Sequence, residues 1–540
     1  MPGAFASAYN AHPRLVVVIV IDQFRGDYLE RYRDQFGEGG FRVFLERGAY
    51  FTDCNYDYAN TRTAPGHATL FTGSYTSGHG IVANEWWDPE KKKRVTSVED
   101  DTTKLVGGGA GPGASPHNLM SDTLGDELKL ATGGKARVFA LSLKDRAAVL
   151  PAGFSGDGAY WIDPKSGDWI TSSYYRSDLP EWVGKFNGSH RAEKYWNREW
   201  KDSDGNVLGS TSPRNGKDGK PGGFYEVVGS TPFANDYQFE FAKELVLYEK
   251  LGAGAATDLL VISLSANDIL GHQVGPDSPQ MHGMALELDR QVGEFFTFLG
   301  HQIGLANVWM ALSADHGIAP LPEFAKTLRL PAANLDAKAL REQINSLLSK
   351  KYARKAEYVR EFDYPVAWLD EEAFAGSGAE HTAGHSSAMK ELEAEADAGE
   401  AMKLAGLAGY FTKSQLARGE TPSSEVGRRY AHSYSAEGGW YVMGIPREFQ
   451  VGGSKGTDHA SPFSYDTHVP LAFYGLAFQP GIYRTHAEPV DLAVTLASLL
   501  GINAPAQATG RVLTEALQPP HHAIIPPPPQ PIAPASGAPQ

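Results

Sequence analysis

Residues 15–22 read Leu-Val-Val-Val-Ile-Val-Ile-Asp, seven unbroken apolar residues closed by an aspartate. Unbroken rather than alternating apolarity is the pattern of a strand buried on both faces, as in a parallel sheet covered by helices. Similar short runs recur at 138–143 (VFALSL), 258–264 (DLLVISL), 308–312 (VWMAL), 440–443 and 471–474. Helical patterns separate them, for example 121–130 (SDTLGDELKL) and 284–299. This alternation predicts an α/β fold, a central, mostly parallel sheet flanked by helices. Ligands of such sheets bind beyond the carboxyl ends of the strands.

The residues just after each run therefore carry information. Asp22 ends the first, and Lys144-Asp-Arg146 comes after VFALSL. Ser-Ala-Asn-Asp268-Ile-Leu-Gly-His272 comes after DLLVISL, and Ser-Ala-Asp315-His316 after VWMAL. Asp268 and His272 are four apart and share one helix face. Asp315 and His316 are adjacent at a turn, and His459 lies in the polar loop Gly-Thr-Asp-His459-Ala-Ser-Pro. Carboxylate oxygens and imidazole nitrogens are good zinc ligands. A lone strand-end aspartate is more often a turn former than a ligand. Several at one predicted sheet edge point to metal.

The stretch 59–73, ANTRTAPGHATLFTG, adds a hydroxyl. Thr63 stands just before Ala-Pro65-Gly-His67, and proline at a first helical position predicts that the helix starts there. A hydroxyl at that end meets the positive pole of the helix, which stabilises anions. Metal contact would lower its pKa enough for nucleophilic attack. The motif alone leaves simple capping equally open, and Thr61 is a competing hydroxyl.

Composition limits the rest. Apolar residues are 42% and charged residues 21% of the chain, ordinary for a globular protein, which excludes collagen and wholesale disorder. With 49 Lys and Arg against 64 Asp and Glu, the net charge of −15 argues against nucleic acid or an anionic membrane as partner. The single cysteine, Cys54, rules out an intrachain disulfide and four-cysteine zinc sites. The seven apolar residues at the start fall far short of the ~20 that a membrane span needs. No leader pattern is read there. A catalytic domain is expected over 14–518, with insertions or caps at about 157–223 and 373–429. A proline-rich tail, disordered in expectation, occupies 519–540, where nine prolines fall. The acidic run 391–400 reads as a solvated helix. His381 and His385 have ligand-like spacing but no strand-end partner, and read as surface residues.

Together IDQFRGDYL, TRTAPGHATLFTG, NDILGH, SADHG and GTDHASPFSYDTHVP resemble the alkaline phosphatase superfamily, in order, over roughly residues 14–505. Asn84, in VANEWWD, and the Lys144–Arg146 pair resemble the PafA-type alkaline phosphatases, a periplasmic bacterial group. The resemblance implies two Zn2+ per chain. One is held by Asp268, His272 and His459, the other by Asp22, Asp315, His316 and the nucleophile Thr63. His459 is preferred over His468 on motif context. Asn84, Lys144 and Arg146 are implied to bind the free phosphate oxygens. The implied activity is hydrolysis of small phosphate monoesters through a phosphothreonine, with diesterase activity on the side. Lys144 is implied to replace a separate magnesium site.

Within the superfamily, nucleotide pyrophosphatase/phosphodiesterases lack the Lys and Arg pair. Sulfatases need a formylglycine motif that is absent here, and cofactor-independent phosphoglycerate mutases use serine. An inactive binding protein would lack a ligand or the nucleophile, and none is missing. A periplasmic or secreted address comes from the resemblance only. A monomer is compatible with everything read, and the Tyr/Trp-rich stretch around 161–200 reads as a substrate-side cap.

Overall fold

The computed structural model describes residues 12–212, 222–375 and 387–518. His381, His385 and the tail at 519–540 lie outside the described residues. Eleven strands form the main sheet. In chain order they are β1 (Leu15–Ile21), β2 (Ala49–Phe51), β3 (Glu99–Val106), β4 (Pro112–Ala114), β5 (Val138–Leu141), β6 (Gly158–Ile162), β7 (Trp169–Ser172), β8 (Asp258–Leu264), β9 (Val308–Ser313), β10 (Leu471–Tyr474) and β11 (Gly481–Tyr483). Their order across the sheet is β11-β2-β10-β9-β1-β8-β5-β6-β7-β3-β4.

The centre is parallel. β1 pairs in parallel with β8 and β9, β8 with β5, and β5 with β6. The sheet turns antiparallel at β10 and at β7: β7 returns from β6 through a short loop, whereas β10 follows β9 only after the long excursion that holds the satellite. Every residue of β1 and β8 is buried, as the unbroken apolar runs require. Ile21 lies opposite Leu264 and Val20 opposite Ser313, so the residues after β1, β8 and β9 emerge side by side. β5 ends next to them, opposite Ile262. Four neighbouring strands thus deliver Asp22, Lys144, Asp268 and Asp315 to one sheet edge.

Two stretches differ from the simple reading. The region 157–223 contributes β6 and β7 to the main sheet itself. The residues 373–429 fall inside a larger satellite that runs from the strand Ala333–Leu335 to its partner Gln450–Gly452. Its four-stranded sheet, with helices Ala337–Lys351 and Ser387–Leu404, encloses a separate apolar cluster. The run 440–443 belongs there: Tyr441–Ile445 pairs antiparallel with Val366–Leu369 and Gly409–Thr412. A short apolar run does not carry the identity of its sheet.

The satellite is latched to the segment before residue 63. Asp57 accepts two hydrogen bonds from Arg428, at 2.6 and 3.0 Å. Its carbonyl accepts one from His432 Nδ1 at 2.8 Å. The His432 ring also stacks on Tyr75, whose hydroxyl donates to Glu488. Against burial, which lowers it, Asp57 holds His432 above its ordinary pKa. The stabilisation from His432 is therefore complete below about pH 6.5 and fades as pH rises through the raised value. His432→Gln is expected to lower the thermal midpoint by a few degrees near pH 6, and by less near pH 9. Melting curves across that range check the sign.

Candidate active site

The nucleophile candidate sits on α1 (Thr63–Thr72), with Arg62 as N-cap. The helix starts two residues earlier than the proline suggests, and Pro65 is its third residue. The first N–H groups of a helix lack intrahelical acceptors, so proline fits there too. Thr63 is buried. The neighbouring Ala64 N–H donates to Asn84 Oδ1 at 2.8 Å. That bond fixes the Asn84 amide and leaves its Nδ2 without a hydrogen-bond acceptor among the described residues.

Thr61 has another task. Its hydroxyl accepts from the Ala460 and Ser461 N–H groups and donates to the Ser461 carbonyl. Its carbonyl accepts from His459 Nδ1 at 2.6 Å. The same arrangement recurs at the other two histidines. His272 Nδ1 donates to the Thr457 carbonyl at 2.9 Å, and His316 Nδ1 to the Gly317 carbonyl at 2.9 Å. Backbone carbonyls on Nδ1 fix the tautomer, and each Nε2 lone pair is left free to bind a cation.

These Nε2 atoms converge with carboxylates in two groups. His316 Nε2 lies 3.5 Å from Asp22 Oδ1 and 3.6 Å from Asp315 Oδ2. All three atoms are buried and have no hydrogen-bond partner among the described residues. His272 Nε2 lies 3.1 Å from Asp268 Oδ1, and His459 Nε2 lies 4.0 Å from that same oxygen. Ligands about 2.05 Å from a tetrahedral ion stand roughly 3.4 Å apart. The spacings of the Asp22, Asp315 and His316 group match, and its orphaned buried acceptors are costly unless a cation satisfies them. Around the second position the sets whose ligand atoms all lie within 4.8 Å are Asp268, His316 and His459, and His272, Asp458 and His459. The donor sets fit divalent metal. The groups adjoin, with the His316 and His459 rings stacked at 3.8 Å.

Lys144 ties the groups together. Its Nζ lies 2.6 Å from Asp22 Oδ2 and 2.5 Å from Asp268 Oδ2. Each aspartate thus gives one oxygen to Lys144 and turns the other toward a metal group. Gln23 Nε2 donates to Asp268 Oδ1 at 2.7 Å, and its backbone N–H to Asp315 Oδ1 at 3.0 Å. Burial first, and then Asp268 and Asp315, push the Asp22 carboxyl up against the opposing pull of Lys144. Arg146 has a buried Nε with no partner and only a loose contact, 3.7 Å, to Asp145.

His468 is elsewhere: its Nε2 bonds the Thr52 carbonyl at 3.0 Å, and its ring packs on Gly26. Asp458 is a neighbour of the site that the motifs do not single out. Its Oδ1 lies 3.8 Å from both His272 Nδ1 and His459 Nε2. A signal for it exists, since Asp458-His459 repeats the Asp315-His316 pair. Gln23 and the Thr61 carbonyl act through tertiary contacts that no motif announces.

The family model described as type I phosphodiesterase / nucleotide pyrophosphatase matches residues 16–403. A Myroides odoratus protein named calcium-transporting ATPase is 33% identical, over 95% of this chain and 96% of its own. Alkaline phosphatase PhoV of Synechococcus elongatus is 32% identical, over 94% of each chain. Alkaline phosphatase PafA of Elizabethkingia meningoseptica is 32% identical, over 96% of this chain and 97% of its own. A crystal structure of wild-type alkaline phosphatase PafA covers 94% of this chain at a TM-score of 0.82 and 30% identity, with 99% of its own length matched.

Gly66, one turn into α1, sets how close the helix that carries Thr63 comes to Asp315. A Cβ there would meet the Asp315 carbonyl oxygen at 2.2 Å and the Asp315 Cβ at 2.7 Å. Neither is the end of a flexible side chain. Gly66→Ala must push α1 away from the Asp22, Asp315 and His316 group. The variant is expected to keep its circular dichroism spectrum but to bind divalent metal roughly ten- to a hundredfold more weakly. Chelator competition measures this without turnover.

Proposed function

Because the chain belongs to the type I phosphodiesterase / nucleotide pyrophosphatase family, we propose that it is a zinc-dependent alkaline phosphatase hydrolysing phosphate monoesters. The carrying observation is the Lys144 ammonium wedged between Asp22 and Asp268, with Arg146 near enough to interact with it. The full-length likeness to alkaline phosphatases PhoV and PafA supports the same reading. A periplasmic or secreted address belongs to the proposal through the family resemblance.

Asp268, His272 and His459 would hold one zinc ion. Asp22, Asp315, His316 and Thr63 would hold the other. Two such ions supply Lewis-acid charge at the attacking and leaving oxygens of an in-line displacement. Thr63 Oγ bonds to phosphorus and the ester oxygen departs on the Asp268 side. The resulting phosphothreonine is cleaved by water, which frees phosphate and regenerates the hydroxyl.

The remaining groups select the substrate. An ammonium has three donors, and Asp22 and Asp268 take two from Lys144. The third is left for a phosphate oxygen. Arg146 adds a planar fork, and Asn84 Nδ2 a neutral donor held by Ala64. Together they suit a dianion with free oxygens. A diester, with one oxygen carrying a second organic group, uses fewer of these donors.

Metal analysis of active protein should find two zinc ions per chain. Thr63→Ala should stay folded and lose ~10³-fold or more in turnover of a simple aryl monoester. Near-wild-type rates would remove Thr63 from the reaction. A second comparison tests substrate class. Replacing Arg146 by Ala should cost at least about tenfold more in kcat/KM on a monoester than on a diester. Lys144→Ala should in addition weaken metal binding, because it uncovers two buried carboxylates.

A further inference from the structure

A cleft of about 670 Å³ opens beside Lys144 and Arg146. Its apolar lining comes from Leu105, Ala114, Leu143, Trp161 and Ile170, and Tyr225 lines the same cleft. Besides Lys144 and Arg146, the charged residues that line it are Glu99, Asp145, Asp163 and Lys165, three anions against one cation, so beyond that pair it offers little to a second anionic group.

Tyr225 is placed by rigid neighbours. It lies on a single helical turn, Phe224–Val227. The turn is anchored on the loop after β6. The Phe224 N–H donates to the Lys165 carbonyl and the Tyr225 N–H to the Pro164 carbonyl, both at 3.0 Å. Phe224 is fully buried, against Tyr237 and so close to Gly167 that a Cβ there would meet its ring at 2.7 Å. The loop itself is braced by Asp163 Oδ1, which accepts from the N–H groups of residues 165 and 166.

The turn also borders the metal-ligating helix Ala266–Val274: a Cβ on Gly229 would lie 3.2 Å from Ile269, the neighbour of Asp268. Tyr225 interacts electrostatically with Lys144, Asp268, Arg146 and Asp22. Its hydroxyl has no hydrogen-bond partner among the described residues. The ring packs in part on the main core, and its cleft side and unbonded hydroxyl are placed for a ligand.

We propose that Tyr225 and the apolar lining of its cleft form a leaving-group subsite for neutral aromatic alcohols. This rests on the phosphatase reading, which places the leaving oxygen on the Asp268 side. The phosphate would occupy the Lys144, Arg146 and Asn84 donors, and the aryl ring would lie in the cleft against Tyr225 and the apolar lining. Aromatic rings gain from offset stacking and from leaving water.

The test separates the cleft from the reaction. On zinc-loaded protein, calorimetry compares phenylphosphonate with methylphosphonate, neither of which needs to be hydrolysed. Wild type is expected to prefer the phenyl compound roughly tenfold. Tyr225→Ala should reduce that preference to about twofold or less, while Tyr225→Phe keeps most of it, since the ring carries the contact. The kcat/KM ratio of phenyl phosphate to methyl phosphate should fall in parallel. No preference in wild type, or a preference that survives Tyr225→Ala, overturns the subsite. A preference that collapses in Tyr225→Phe as well overturns the stacking role and assigns the contact to the hydroxyl. If wild type shows the binding preference yet hydrolyses neither ester, the subsite stands and the phosphatase reading falls.

Discussion

The contact between Lys144 and the two aspartates that flank it organises the molecule. Asp22 ends β1, Asp268 comes after β8, and Lys144 after β5, so one ammonium joins three neighbouring strand ends. All three side chains are almost wholly buried. Taking these charges out of water is expensive, and a single lysine leaves the cluster negative once Asp315 is counted. The deficit is what suits the site to divalent metal. The sheet supplies three carboxylates and one ammonium, and dications restore the balance while reversing the local sign. A protein of net charge −15 can therefore hold a phosphate dianion, because the positive field is local and surrounded by an acidic exterior.

Much of this is legible in the sequence. The apolar runs name the central strands, and the location of the site needs only the rule that ligands gather at carboxyl ends. The spacing of Asp268 and His272, and the adjacency of Asp315 and His316, mark groups able to share an ion. The features that escape reading depend on contacts between distant residues. Lys144 looks like a phosphate ligand, and nothing local shows that Nζ first reaches Asp22 and Asp268. Thr61 looks like a second hydroxyl. Its role lies in a carbonyl that orients His459, nearly four hundred residues on. The strand at Tyr441–Ile445 is apolar enough for the main sheet, but its pairing is with the satellite. Local pattern gives an element its type, whereas register and partner are set by the assembled core.

The satellite's position explains why the fold carries it. The segment 57–63 leads into α1 and has no sheet of its own. Tyr75 and Val82 hold it from nearby, at the Asp57 N–H and the Asn60 amide, and most of its other hydrogen bonds go to residues from the second half of the chain. Asp57 takes Arg428 and His432, and the Ala59 N–H donates to Ser433 Oγ at 2.7 Å. Thr61 is locked to residues 459–461, and Arg62 Nη2 donates to the Asp363 and Tyr364 carbonyls. The residue that caps α1 is thus pinned by the satellite sheet, and the residue before it by the loop that carries a metal-ligand candidate. A helix held only by its own packing could slide along its axis. With its leading segment splinted in this way, and Gly66 pressed against the Asp315 backbone, α1 has little freedom to carry Thr63 away from the two ligand groups. Precision at the hydroxyl is supplied from the far end of the sequence, and for this reason the short motif around Thr63 can be read for its chemistry but not for its support.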